Sequence, residues 1–382
     1  MNYLQKKRLA VMNGGRFKGY MRTLSGYPLT LTDCTEGNLV DYTIYGNSVQ
    51  NGTPSPDNPV EVQTVGDYDE ESGKYVIPIT VSGINMFNVS DAQNTEKYTF
   101  SSGNDIGNYR INLTEGKQYT LHMRKLISGN HQFSIYNDGE YVTKVDSSSM
   151  STFKTFTAGR RVNLQIYLSG TNGASNTVPL LSKYLELMIV EGTYTTVTMP
   201  EYEEGHTPVT TNIYLGEPLR KIGEYADHID FKNKEVVRVI GKMEGRNKSN
   251  LFKSYASMPS VGEYSVYWTS QFSYAKSDTG LCDRFPYSTN KVSAGNHFTI
   301  EYTSNRMYIA IDKNIVEASN DTQFQSWLRE NNPIFYYVKK TETEESIALP
   351  YIRINKGTNI ITVGTGIQPM NIEISYYAER EE

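Results

Sequence analysis

Leu113-Thr114-Glu115-Gly116-Lys117-Gln118-Tyr119-Thr120-Leu121 decides the fold class of this chain. An apolar run ends at Leu113, Gly116 closes a turn that its missing side chain makes easy, and polar and apolar residues alternate from Gln118. Alternation at period two puts Tyr119 and Leu121 on one face of a strand. Runs of the same kind recur at Tyr109–Leu113, Gln118–Lys125, Gln132–Tyr136, Phe153–Thr157, Val162–Leu168 and Tyr184–Glu191, separated by turn residues. Short strands at that spacing predict a two-sheet sandwich or jelly roll over residues 85–200.

Composition extends this reading to the whole chain. Its 382 residues suggest several domains, and its 30 Tyr, against 13 Phe and 2 Trp, favour strands. Abundant Asn, Gly and Ser favour turns, so the expected fold class is all-β, multi-domain, with β-sandwich or jelly-roll modules. One short helix interrupts the pattern near 321–330. There Asn320 and Asp321 offer caps, Phe324, Trp327 and Leu328 recur at helical spacing, and Asn331-Asn332-Pro333 stops the run. The organisation expected is an arm over 1–18, a β-rich domain over 19–84, the jelly roll over 85–200, a β connector over 201–245, and a C-terminal β-sandwich with the helix over 246–382.

Several function classes are disfavoured. A net charge of −5, spread along the chain, does not suit nucleic acid, which requires a basic stripe. No apolar run approaches the length of a membrane span, and the N-terminus lacks the apolar core of a secretion signal. Cys34 and Cys282 lie far apart and fit neither a metal spacing nor a disulfide framework, so both are expected as thiols. The five histidines have no metal-ligand spacing. His131 and His297 follow similar Gly-Asn turns, which reads as a repeated turn-to-strand transition. The acidic pairs Glu70-Glu71 and Glu203-Glu204 fall in polar segments, where solvated charge explains them better than the facing carboxylates of a glycosidase. No phosphate-cradling glycine loop or nucleophile elbow occurs. The expectation is a protein without catalytic residues, metal or cofactor.

Two candidate surfaces remain. Tyr264, Tyr267, Trp268, Phe272 and Tyr274 form the densest aromatic cluster, and aromatic rings stack on sugar faces. Tyr136, Asp138 and Tyr141 lie near a predicted hairpin tip and are weaker glycan-contact candidates. The arm over 1–18 carries Lys6, Lys7, Arg8, Arg16 and Lys18 beside Tyr3, Leu4, Leu9 and Met12. That is too little apolar surface to fold alone, so it is read as a docking segment.

Five stretches also carry a resemblance. Leu113 to Leu121, with Leu185-Glu186-Leu187-Met188-Ile189-Val190-Glu191-Gly192, resembles the jelly rolls of carbohydrate-binding modules. The loop Gly46 to Val62 holds three prolines between Pro54 and Pro59 and is similar to a loop of structural proteins of tailed phages infecting Gram-positive bacteria. Pro218-Leu219-Arg220-Lys221-Ile222-Gly223 with Asp227, Ile229 and Asp230 resembles phage minor tail proteins. Phe324, Trp327-Leu328, Asn332-Pro333, Tyr336-Tyr337, Thr341 and Glu344 resemble tail and appendage proteins in their order. The resemblance implies a virion structural protein of the tail tip, baseplate or side appendage, assembled in the host bacterial cytoplasm. It implies other virion proteins as partners, a homo-oligomer with a trimer favoured, and contact with a host surface glycan. Two alternatives are a receptor-binding protein for cell-wall polysaccharide and a head fibre or capsid decoration protein.

Overall fold

The computed structural model describes residues 17–23, 29–34, 36–38, 41–101, 105–168, 173–269, 271–272, 275–364 and 372–378. The fold is all-β. Three hydrophobic cores organise most of it, and two of them are each built from one continuous stretch of sequence, residues 87–189 and 243–335.

The middle unit is the first of these. A five-stranded sheet runs Glu140–Val145, His131–Asn137, Val162–Leu168, Ile106–Ile111, Tyr98–Phe100. A three-stranded sheet, Ser151–Thr157, Gln118–Lys125, Leu185–Glu191, faces it. Inward residues at period two (Phe133, Ile135, Leu164 and Ile166 from one sheet, Tyr119, Leu121, Leu187 and Ile189 from the other) fill the space between them. Gly116 takes φ +80° at the turn before Tyr119, and the buried Tyr119 hydroxyl accepts from Thr114 N–H at 3.1 Å.

The outer domain is discontinuous. One sheet orders Val209–Leu215, Lys74–Gly83, Gly357–Val363 and Leu29–Cys34. A seven-stranded antiparallel sheet orders Phe17–Thr23, Ile372–Ala378, Asp41–Tyr45, His228–Asp230, Glu235–Glu244, Ile334–Ser346 and Ala275–Cys282. Ile77, Ile79, Ile213 and Ile361 from the first sheet pack against Ile44, Ile229 and Val236 from the second. This corrects the consecutive division expected from sequence. The 201–245 connector supplies strands to the outer domain, and residues 347–363 and 372–378 return to it instead of staying with the C-terminal unit. The 1–18 arm also ends early, because Phe17 and Lys18 pair with Ala378 and Tyr377. Alternation shows that a segment is a strand but not which distant strand it joins.

Asn85 fastens the middle unit to this frame. Its side chain donates to Leu187 O and Glu203 O, each at 2.9 Å, and accepts from Phe87 N–H at 2.9 Å and Ile189 N–H at 3.0 Å.

The third core lies between Met243 and Phe335 and contains the helix Asp321–Asn331. Asn320 caps it by accepting from Gln323 N–H, and Asn332 ends it in the left-handed region. Phe324 and Leu328 are buried against a sheet face. The other described helical segments have five residues or fewer. Cys282 is buried, and neither cysteine forms a disulfide. No described helix is long and apolar enough to cross a membrane.

Candidate functional site

The outward face of the middle unit's five-stranded sheet is the best-formed candidate. Side chains opposite the core alternate with those that fill it, and register aligns them into rows. Arg110 pairs with Asn163, Asn163 with Tyr136, and Tyr136 with Tyr141. The next row runs Thr99, Asn108, Gln165, Ser134, Lys144, and a third runs Ile106, Tyr167, Gln132. With strands about 4.8 Å apart, a row over four strands spans roughly 14 Å.

Local geometry holds these groups in place. Asn137-Asp138-Gly139-Glu140 is a tight hairpin with φ +51° at Asp138 and +87° at Gly139. A bulge after Ile135 brings Tyr136 opposite Tyr141, with ring centroids 6.0 Å apart and planes at 71°. The amide of Gln165 donates to Asn108 at 3.1 Å and that of Gln132 to Ser134 at 3.0 Å. Arg110 donates to Arg160 O at 3.2 Å. Lys144 pairs with Asp146 at 2.7 Å, a contact that raises the lysine's pKa and holds the Asp146 carboxyl well below the usual carboxylate range. Tyr141 is 55% and Tyr167 38% exposed, so both rings are open to a ligand. Amides that donate and accept, beside open tyrosine rings, suit the hydroxyls and apolar faces of a sugar chain.

Of the hairpin candidates, Tyr136 and Tyr141 belong to this face. Asp138 is exposed at the hairpin tip beside it. Its carboxylate accepts Arg160 N–H at 3.1 Å and Arg161 N–H at 2.8 Å, fixing the neighbouring turn. Arg110, Asn108, Asn163, Gln165, Gln132 and Tyr167 escaped the sequence reading. Their signal, outward parity, becomes a surface only once register sets the strands side by side.

The aromatic cluster of the third unit is largely structural, which corrects its assignment as a glycan platform. Tyr267 is 0% and Phe272 1% exposed, so neither ring can reach a ligand. Phe272 meets Tyr337 edge-on at 5.0 Å. Trp268 is half-buried, with Arg306 5.2 Å over its ring, Tyr255 edge-on and Tyr308 stacked alongside. Lys291 lies 4.9 Å over Tyr308 and pairs with Glu301 at 2.6 Å. A brace of this kind occupies the face a pyranose would need. Tyr264 is half-buried at the start of its strand, and Tyr274 lies outside the described residues, as do Tyr3, Leu4, Lys6, Lys7, Arg8, Leu9 and Met12.

Glu203 accepts from Thr358 N–H and Oγ1 at 2.7 Å each, and Glu70 and Glu71 sit exposed at a hairpin tip. Among the described residues no three His, Cys, Asp or Glu side chains group in a way that could hold a metal ion. No protein-family model, curated protein or solved structure matches the chain.

Proposed function

We propose that this chain is a structural protein of a tailed-phage particle, at the tail tip, baseplate or a side appendage, that contributes to assembly and host attachment. In this reading the outward face of the middle sandwich contacts a host surface glycan, and the protein acts by binding, without catalysis. The glycan part is carried by one observation: in-register rows on one sheet that set the amides of Asn108, Asn163, Gln132 and Gln165 beside Tyr136, Tyr141 and Tyr167. The particle part rests on the resemblance of the loop Gly46 to Val62 and of the Pro218 and Phe324 stretches to phage proteins. A discontinuous outer domain bearing two inserted units suits a scaffold that displays binding modules. The basic segment before Phe17 is the proposed attachment to another virion protein or to a symmetry-related copy, with a trimer favoured.

Two measurements test this. Antibody-gold labelling of purified particles should mark the tail tip, baseplate or side appendage. Label on the head would favour a head fibre, and label on no part of any particle would overturn the reading. A cell-wall glycan array should register the isolated protein, with Tyr136→Ala and Tyr141→Ala weakening the signal. No binding by the wild-type protein would remove the glycan role and leave the scaffold role alone.

A further inference from the structure

The outer domain's two sheets part beside Val209–Leu215 and the exposed end of Ile334–Ser346. A cavity of about 410 Å³ opens there, lined by Lys74, Asn212, Tyr214, Arg238, Glu345 and Ser346 among others. That volume is ordinary for a small-molecule site. Arg238 is 4% exposed, and most of its guanidinium is engaged. One terminal nitrogen donates to Pro218 O and the other to Glu217 O, each at 2.7 Å, and Asp227 lies 3.7 Å away. Its Nε differs: it is buried and has no hydrogen-bond partner among the described residues. Glu345 Oε2 stands 3.9 Å from it.

That separation limits what can bridge the two atoms. It is too long for a direct hydrogen bond, yet one oxygen can lie about 2.9 Å from both atoms. Such an oxygen must accept from Nε–H and donate to the Glu345 carboxylate. A hydroxyl does both. A carboxylate cannot donate and would face the charge of Glu345, and a carbonyl can only accept. Beside this polar pair lie the apolar Leu215, Val236 and Ile347 and the ring of Tyr214, which is 44% exposed. An apolar wall beside a hydroxyl-bridged ion pair is the chemistry that holds a pyranose.

We propose that this cavity binds one residue of a saccharide, with a hydroxyl bridging Arg238 Nε and Glu345 and the sugar ring resting near Tyr214. The site is separate from the middle unit's sheet face and needs nothing from it.

Water can make the same two bonds, so the test must separate sugar from solvent. The full chain, carrying ¹³C-methyl labels on isoleucine and alanine, is titrated with methyl glycosides of glucose, galactose, N-acetylglucosamine and rhamnose, with glycerol as the control polyol. At least one glycoside should shift the Ile347 and Ala348 signals saturably, and glycerol should not. Glu345→Ala, at a 57% exposed side chain, should lower that affinity about tenfold or more without changing the melting temperature. Tyr214→Ala should lower it too, and Tyr136→Ala should leave the shifts unchanged. Absence of saturable shifts with all four glycosides, equal affinity in Glu345→Ala, or an equal response to glycerol would overturn the proposal. So would loss of the shifts in Tyr136→Ala, which would assign them to the sheet face.

Discussion

Phe324 of the long helix lies flat on Tyr267, with ring centroids 4.0 Å apart and planes 13° from parallel. The Tyr267 hydroxyl donates to Glu317 O at 2.5 Å, and burial pushes its pKa up to about 12. The pair joins helix to sheet at the centre of the third core. Tyr267→Ala should therefore cost about 3–5 kcal/mol of stability, as large-to-small core changes do. Tyr267→Phe keeps the stack and should cost about 1 kcal/mol for the lost hydrogen bond. Urea denaturation measures both, and a Tyr267→Ala protein as stable as wild type would refute the core assignment.

The Asn85 junction yields a second expectation. One side chain satisfies two carbonyls and two N–H groups from three segments, and it is only 3% exposed. Asn85→Ala leaves those buried groups without partners, at about 1–3 kcal/mol for each one that stays dry. Asn250 opens a similar triplet, Asn250-Leu251-Phe252, but is exposed, so Asn250→Ala should change stability by no more than about 0.5 kcal/mol. Thermal denaturation of both variants separates a structural asparagine from its sequence echo. Equal effects would mean that the Asn85 bonds contribute nothing specific.

The two triplets also show how far the sequence could be read. Phe87 and Phe252 are both buried, as their shared spacing after Asn suggests, while the asparagines before them differ in role. His131 and His297 each begin a strand, and Gly129 and Gly295 before them both have positive φ, so the repeated turn-to-strand transition was legible. Strand identity and helix caps are local, and the chain encodes them locally. Pairing partners are not. Phe17–Thr23 meets Ile372–Ala378 across nearly the whole chain, and nothing in either segment names the other. The same gap hid the sheet face, since Arg110, Asn163 and Tyr136 become neighbours only through register.

His131 makes the middle unit sensitive to pH. Its ring lies 4.7 Å from Tyr184, its Nδ1 is buried without a hydrogen-bond partner among the described residues, and Lys125 stands nearby. Burial first, then the Lys125 charge, holds its pKa below the ordinary value of about 6.5. A depressed folded pKa means that the unfolded chain takes up the proton first. Its stabilisation is therefore complete above about pH 6.5 and is lost as pH falls from there toward the folded value. The melting temperature of the unit should fall between pH 7 and pH 5, before the depressed carboxyls of Asp91 and Asp146 begin to titrate. His131→Phe should flatten that fall. An unchanged slope in the variant would assign the effect to another group.

The proline-rich loop yields the last expectation. Arg284 Nη1 donates to Pro56 O at 2.5 Å, Val60 N–H to Asp283 O at 2.7 Å, and Gln50 Nε2 to Cys282 O at 2.8 Å. These bonds tie the loop to the end of the strand Ala275–Cys282, where Cys282 and Phe285 belong to the third core, and Ser55 and Asn58 exchange backbone hydrogen bonds within the loop. Pro54, Pro56 and Pro59 restrict the loop before it docks, so little conformational entropy remains to be lost. Arg284→Ala removes the clamp but leaves both cores untouched. Each unit should stay folded, while the loop around 51–60 becomes open to cleavage by a protease of broad specificity. The prolines themselves resist many proteases, so cutting is expected at Asn51 to Thr53 and near Asp57. Limited proteolysis followed by mass spectrometry of the fragments reads this directly. If Arg284→Ala resisted cleavage as well as wild type, the loop would be held by its own rigidity and the remaining Gln50 and Val60 bonds, and the arginine clamp would have no mechanical role.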